Sequence, residues 1–335
     1  MSKKRSKLSD FVLDEVTEHV YIREAYGKTL LELGEEYTDI VVLDADLTVS
    51  TKTNLFGRKF PHRFFTMGVS EQDMMATAAG FALAGKKPFA STFAVFATGR
   101  AWEHIRQSIA FPKLNVKIVA THAGITVGED GATHQALEDI ALMRVLPNMT
   151  VIVPADAVET EKVIRTLVEH EGPAYVRLAR VKFPTILKKS YEFEIGKAPI
   201  LREGKHVTIF AIGVMVYEAL QAAKMLEKEG ISACVVNVST VKPIDIKTIV
   251  ELAGSTGAVV TAEDHNIIGG LGGAIAEVLG ENCPTPMKRI GMKDRFGTSG
   301  EGLRLLEYFG LKAANIVQAV HELLEFNSES ESVGL

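Results

Sequence analysis

Gly128-Glu129-Asp130-Gly131-Ala132-Thr133-His134-Gln135 follows closely on Thr121-His122-Ala123-Gly124, and both lie behind an apolar run at 116–121. Glycines let a backbone approach a ligand closely and permit positive φ. His and Asp move protons and hydrogen-bond hydroxylated ligands. A loop that only connects two elements needs glycines but not so many titratable groups. The stretch therefore marks a ligand site placed just after a strand.

Working outward, short β-rich runs at 40–43, 63–66, 88–91, 116–121, 150–153 and 174–178 alternate with helical patterns at 20–36, 71–84, 99–110, 137–146 and 157–169. This alternation predicts an α/β domain with a doubly wound parallel sheet. The pattern breaks over 183–205, where Pro184, Lys188-Lys189, Pro199 and Gly204 fall without a period, as expected of a connection. A smaller α/β unit follows, with strands at 207–211, 233–238 and 259–262 and helices at 216–229, 273–279 and 301–309. The expected boundaries are 15–185 for the first domain, 186–204 for a linker, 205–326 for the second domain and 327–335 for a flexible polar tail.

A chain of 335 residues, 47% hydrophobic and 24% charged, fits two globular domains. The net charge of −5 and scattered Lys and Arg argue against a nucleic-acid-binding face. The two cysteines, Cys234 and Cys283, have no metal-type spacing and no disulfide framework. The basic start Met1-Ser2-Lys3-Lys4-Arg5-Ser6-Lys7 lacks a following apolar region, and no apolar run reaches membrane-spanning length. The expectation is a cytoplasmic protein without a membrane partner. The turn Ile268-Gly269-Gly270-Leu271-Gly272-Gly273 lacks dinucleotide-fingerprint spacing and reads as a tight turn before a helix.

Several other residues join the loop. Glu71 follows the run 63–66; taken alone it is a first-turn acid, with Ser70 as N-cap and Asp73 completing a capping-box-like pattern. In open α/β sheets, however, ligands lie beyond the carboxyl ends of the strands. Glu71, Asp46, Ser91–Phe96 and 122–134 all follow strand ends and can converge. Phe93 and Phe96 suit either a core or a wall against a flat heterocycle. Ser50, Arg23 and Arg180 can reach the same edge, and an arginine fork suits phosphate.

These residues also carry a resemblance. Gly68-Val69-Ser70-Glu71, Ser91-Thr92-Phe93, Thr121-His122, Gly128-Glu129-Asp130-Gly131, Thr133-His134-Gln135, Leu146-Pro147-Asn148-Met149 and Asp156 resemble the pyrimidine-binding domain of transketolase, a thiamine-diphosphate enzyme. The likeness runs from about residue 20 through the second domain, with Thr261-Ala262-Glu263-Asp264-His265 weaker. The resemblance implies that Glu71 hydrogen-bonds the cofactor's aminopyrimidine and that Phe93 and Phe96 stack on it, with Asp46 also on the cofactor. It implies that His122 and His134 are catalytic and hold sugar hydroxyls. Asp130 binds a hydroxyl near the bond cut, and Ser50, Arg23 and Arg180 hold the sugar phosphate.

The chain departs from the family in three ways. It contains no Gly-Asp-Gly, the motif that holds the diphosphate and its metal, and only about twenty residues precede the first helix. The resemblance then implies a C-terminal subunit of a split transketolase, with Mg²⁺ or Ca²⁺ on a separate N-terminal subunit, no metal site of its own, and an α2β2 assembly. Gly99 stands where transketolases often carry another aromatic. His122 favours transketolase, whereas Ala123-Gly124-Ile125 resembles 1-deoxyxylulose-5-phosphate synthase. That synthase and a non-catalytic interaction module of the same fold are the alternatives. A 2-oxoacid dehydrogenase β subunit fits the loop less well.

Overall fold

The computed structural model describes residues 7–16 and 18–333, residues 327–333 by their backbone alone. Most of the basic start, residues 1–6, lies outside the described residues.

Fourteen strands are described: β1 His19–Tyr21, β2 Ile40–Asp44, β3 Phe64–Thr66, β4 Lys87–Ser91, β5 Lys117–Ala123, β6 Thr150–Ile152, β7 Ala174–Ala179, β8 Lys182–Pro184, β9 Ile200–Arg202, β10 Val207–Ala211, β11 Ala233–Asn237, β12 Thr240–Lys242, β13 Val259–Asn266 and β14 Met287–Met292. The first sheet has the order β12-β6-β7-β5-β4-β2-β3, and the second β14-β13-β10-β11-β9. Within the first sheet, β2 through β7 pair in parallel. β12 closes its edge antiparallel, although its sequence lies beyond β11 of the second domain.

Why the sheet is doubly wound can be read from single strands. Successive side chains point to opposite faces. Val42, Phe89 and Val119 pack with Leu30, Leu33, Val163, Ile164 and Leu167 from the helices Ile22–Glu36 and Ala157–Glu169. Their neighbours Leu43, Ala90 and Ile118 pack with Met74, Met75, Ala78, Ile105 and Ile109 on the other side. Both cores continue into the second domain, one through Ile209 and Ala219, the other through Phe210 and Ile249. A fully buried leucine such as Leu167 contributes about 1.5–3 kcal/mol.

Asp156 ties the first domain to the chain just beyond β8. It caps the helix Ala157–Glu169 by accepting from Glu159 N at 2.9 Å, and its other oxygen accepts from Ile186 N and Leu187 N at 2.8 Å. Burial pushes its carboxyl up to about 6, against the pull of those backbone bonds.

Several expectations change. The helix expected at 20–36 begins as the short strand β1 and turns helical at Ile22. The segment 99–110 is not one α-helix: π-helical turns at Phe96–Arg100 and Ile105–Ala110 flank a short α-turn. The expected linker 186–204 carries β9, which pairs antiparallel with β11. The polar tail expected to fray continues the helix Ala313–Val333. Serine and glutamate tolerate a helical backbone, and the apolar half of the same helix, Ile316, Val320 and Leu323, is anchored in the core.

Candidate active site

The parallel strands deliver the site residues to their carboxyl ends. Val49, Ser50 and Lys52 follow β2, Phe93 follows β4, His122 sits at the end of β5 and Arg180 follows β7. With Arg23, Asp130 and His134 they line a cleft of about 520 Å³.

Asp44 shapes the β2 end. It is buried and accepts from Leu47 N at 2.6 Å, Thr51 Oγ1 at 2.6 Å and Thr53 Oγ1 at 2.8 Å. This winds the chain so that Ser50 O accepts from Arg23 Nη1 at 2.9 Å. Lys52 adopts a left-handed φ of 72° within the same turn. Asp46, expected on the cofactor, is also left-handed at φ 63°, is exposed, and does not line the cleft. The turn that buries Asp44 points the next acid outward.

His122 holds φ 56°, a backbone conformation rare for a non-glycine residue and often found at functional sites. Its Nδ1 lies 2.9 Å from Thr121 Oγ1, and its ring stacks on Phe93 with centroids 3.8 Å apart. Burial, then the nearby Arg23 and Arg180 charges, lower its pKa to about 3. His122 is therefore a neutral imidazole near pH 7. Arg23, Lys52 and Arg180 in its lining make the cleft electropositive.

The loop that bears Asp130 and His134 is held from below and from the second domain. Gln135 Nε2 donates to Thr298 O at 2.9 Å and Ile125 O at 3.2 Å. Gly131, at φ 75°, leaves no room for a side chain, since a Cβ would lie 2.4 Å from Ser299 Oγ. Arg177 underlies the seam: it donates to Asp139 at 2.8 Å, to Asp264 Oδ1 at 2.6 Å and to Ala136 O at 3.3 Å. All three side chains are buried. Arg180 pairs with Glu129 at 2.5 Å. The second domain thus buttresses the site loop.

Glu71 opens the helix Glu71–Leu83 and is buried. Ser70 occupies the N-cap position but makes no side-chain cap bond, and Asp73 pairs with Thr77 instead, so the capping-box expectation fails. Glu71 instead accepts from Arg100 Nη1 at 2.7 Å. Arg100 lies over Phe96, whose ring stacks near Phe93 at 6.0 Å and meets His134 edge-on at 5.4 Å. Glu71 therefore connects to the cleft through an aromatic and histidine cluster rather than lining it.

These residues fit an aminopyrimidine: a buried acid, a stacked aromatic pair, and Thr92 Oγ1, a buried hydroxyl without a partner among the described residues. Among the described residues there is no cluster of three or more His, Cys, Asp or Glu placed to hold a metal ion. Sequence reasoning missed Asp44, Lys52, Arg100 and Arg177. Only Arg100 left a signal, its spacing of four from Phe96.

An acid-headed helix, an aromatic pair and two histidines at the carboxyl edge of one doubly wound sheet define a pyrimidine-binding domain of the thiamine-diphosphate class. Residues 18–185 match the model of the transketolase pyrimidine-binding domain, and residues 196–316 that of the transketolase C-terminal domain. The chain belongs to the transketolase family. It is 54% identical to a putative transketolase C-terminal section of Methanocaldococcus jannaschii, over 90% of this chain and 95% of that one. It is 45% identical to a 6-deoxy-6-sulfo-D-fructose transketolase subunit of a Clostridium species, over 93% and 96%. A solved split-gene transketolase, described as an inactive β4 tetramer, is 56% identical with a TM-score of 0.86, over 91% of this chain and 99% of that one.

Proposed function

We propose that this chain is the pyrimidine-binding subunit of a split transketolase that moves a two-carbon ketol unit from a ketose phosphate to an aldose phosphate. The observation that carries this is one cleft lined by His122, His134, Asp130 and the cations Arg23, Lys52 and Arg180. When bound, thiamine diphosphate supplies the nucleophilic carbon that cleaves and carries the two-carbon unit.

The chain's own residues then divide the work. Glu71 exchanges a proton with the aminopyrimidine edge. Phe93 and Phe96 orient that ring by stacking. His122, neutral because it is buried, hydrogen-bonds a sugar hydroxyl without adding charge. His134 and Asp130 hold hydroxyls beside the bond that breaks. Arg23, Ser50 and Arg180 take the phosphate, where a guanidinium fork matches its oxygens. Arg23 Nε is a buried donor without a partner among the described residues.

The diphosphate and its Mg²⁺ or Ca²⁺ are assigned to a separate N-terminal subunit, in an α2β2 assembly working in the cytoplasm. The inactive β4 tetramer of the related split-gene protein supports the view that such a chain needs a partner. Free Cys234 and Cys283 agree with a reducing compartment.

The test is a ketose-donor assay on the chain combined with its partner subunit. Glu71→Ala is expected to abolish turnover while assembly persists. Retention of more than a few per cent of activity refutes the proton role. Turnover with pyruvate as donor, and none with a ketose phosphate, assigns the chain to the synthase branch instead.

A further inference from the structure

Arg100 ends the π-helical turn Phe96–Arg100. Such turns are uncommon and cluster at functional sites. Here the turn aims one side chain at two partners. Arg100 Nη1 lies 2.7 Å from Glu71 Oε2, and its Cζ lies 4.6 Å from the centre of the Phe96 ring. Glu71 is 1% exposed and Arg100 43%.

Two flat groups compete for the same pair of partners. A guanidinium is a planar cation whose N–H groups lie along one edge. An aminopyrimidine is a flat ring whose exocyclic amino group offers N–H donors and whose ring nitrogen donates once Glu71 has passed it a proton. Both stack on an aromatic face and donate to a carboxylate. We propose that Arg100 is a positioning residue of the pyrimidine slot: it occupies Glu71 and Phe96 while no ring is present, and swings out when the ring enters. This rests on the reading that Glu71, Phe93 and Phe96 receive the cofactor's pyrimidine.

Three features support the exchange. Glu71 is buried, and a buried polar group needs a hydrogen-bond partner, a part that Arg100 plays when the ring does not. Arg100 has solvent on one side and can leave without crossing the core. Gly99, just before it, adds no side chain beside the guanidinium, and a Cβ there would meet no other element within 4 Å. Arg100 acts through Glu71 and Phe96 and does not line the sugar cleft.

The test is calorimetric titration of thiamine diphosphate with Mg²⁺ into the full chain combined with its partner subunit. Wild type, Arg100→Met, Arg100→Lys and Glu71→Gln are compared. Binding no longer has to displace the guanidinium in Arg100→Met, so its Kd is expected to fall roughly tenfold, a modest change because the pair is partly solvated. Arg100→Lys keeps the charge without the flat fork, and its Kd is expected between the two. An unchanged or higher Kd in both Arg100 variants overturns the proposal. If Arg100→Met does not fold, Arg100→Lys decides alone: a Kd below wild type supports the exchange, and one equal or higher overturns it. Glu71→Gln distinguishes failure of the exchange from failure of the pyrimidine assignment. If, made in the Arg100→Met background where no guanidinium has to be displaced, it leaves Kd unchanged, the pyrimidine assignment itself fails. If it weakens binding while the Arg100 variants do not tighten it, only the exchange fails.

Discussion

Replacing Arg177 with Met should separate the seam beneath the site loop into unpaired charges. Arg177 sits between Asp139 and Asp264, with bonds of 2.8 and 2.6 Å to side chains that are at most 1% exposed. Asp139 Oδ1 and Asp264 Oδ2 already lack partners among the described residues. Methionine fills much of the volume but leaves two buried carboxylates facing each other. Breaking such a buried set from one side costs about 3–5 kcal/mol. At roughly 2–4 °C per kcal/mol for a chain somewhat smaller than this one, the melting temperature should fall by about 6–20 °C. Removing the charge from the whole set avoids that penalty, so Arg177→Met with Asp139→Asn and Asp264→Asn should recover most of the loss. Arg165 is the contrast: it pairs with Glu32, Glu36 and Glu161 at the surface, and Arg165→Ala should cost under about 1 kcal/mol. Urea unfolding and thermal melts of the four proteins measure all of this. An Arg177→Met chain within about 1 kcal/mol of wild type, or a triple variant no better than the single one, refutes the reasoning.

Other outcomes rest on the same geometry. His122, held to about 3 by burial, should show no imidazole titration by NMR between pH 8 and 5, and a midpoint near 6.5 would contradict its burial. The unfolded chain takes up this proton first as pH falls. The stability it contributes is therefore complete above about 6.5 and lost progressively as pH drops toward 3. Gly131→Ala, with its Cβ forced to within 2.4 Å of Ser299 Oγ at φ 75°, should cost about 1–3 kcal/mol and raise the donor-sugar KM; unchanged donor kinetics would mean that the loop tolerates displacement. Lys52→Met takes a cation from the cleft wall beside Arg23, Ser50 and Arg180 and should raise KM for a phosphorylated donor several-fold with little change in kcat; a kcat effect alone would mean that Lys52 does not help those three hold the phosphate.

Much of the fold was legible because the strands are apolar on both faces and their loops carry chemistry. β2 needed only a continuous apolar run and a turn, whereas β5 and β7 were legible although each carries a buried cation, Lys117 and Arg177. The π-turns were not legible, since Phe96 to Arg100 has the composition of an ordinary helix and the wider turn is set by packing. β12 escaped because its pairing with β6 joins residues far apart in sequence. At the site, His122, Asp130, His134, Arg23, Ser50, Arg180 and Phe93 come together in one cleft, while Glu71 and Phe96 lie outside its lining. Asp46 did not, because a left-handed turn exposes it and buries Asp44 instead. Arg177 was invisible for a different reason: its partners Asp139 and Asp264 belong to different domains.

On the proposed function, this chain holds half of a thiamine-diphosphate site. Calorimetric titration of thiamine diphosphate with Mg²⁺ tests it most directly, first on the chain alone and then on the chain combined with the proposed diphosphate-binding subunit. Tight binding only in the mixture is the predicted result. Tight binding to the chain alone, or none in either case, contradicts it.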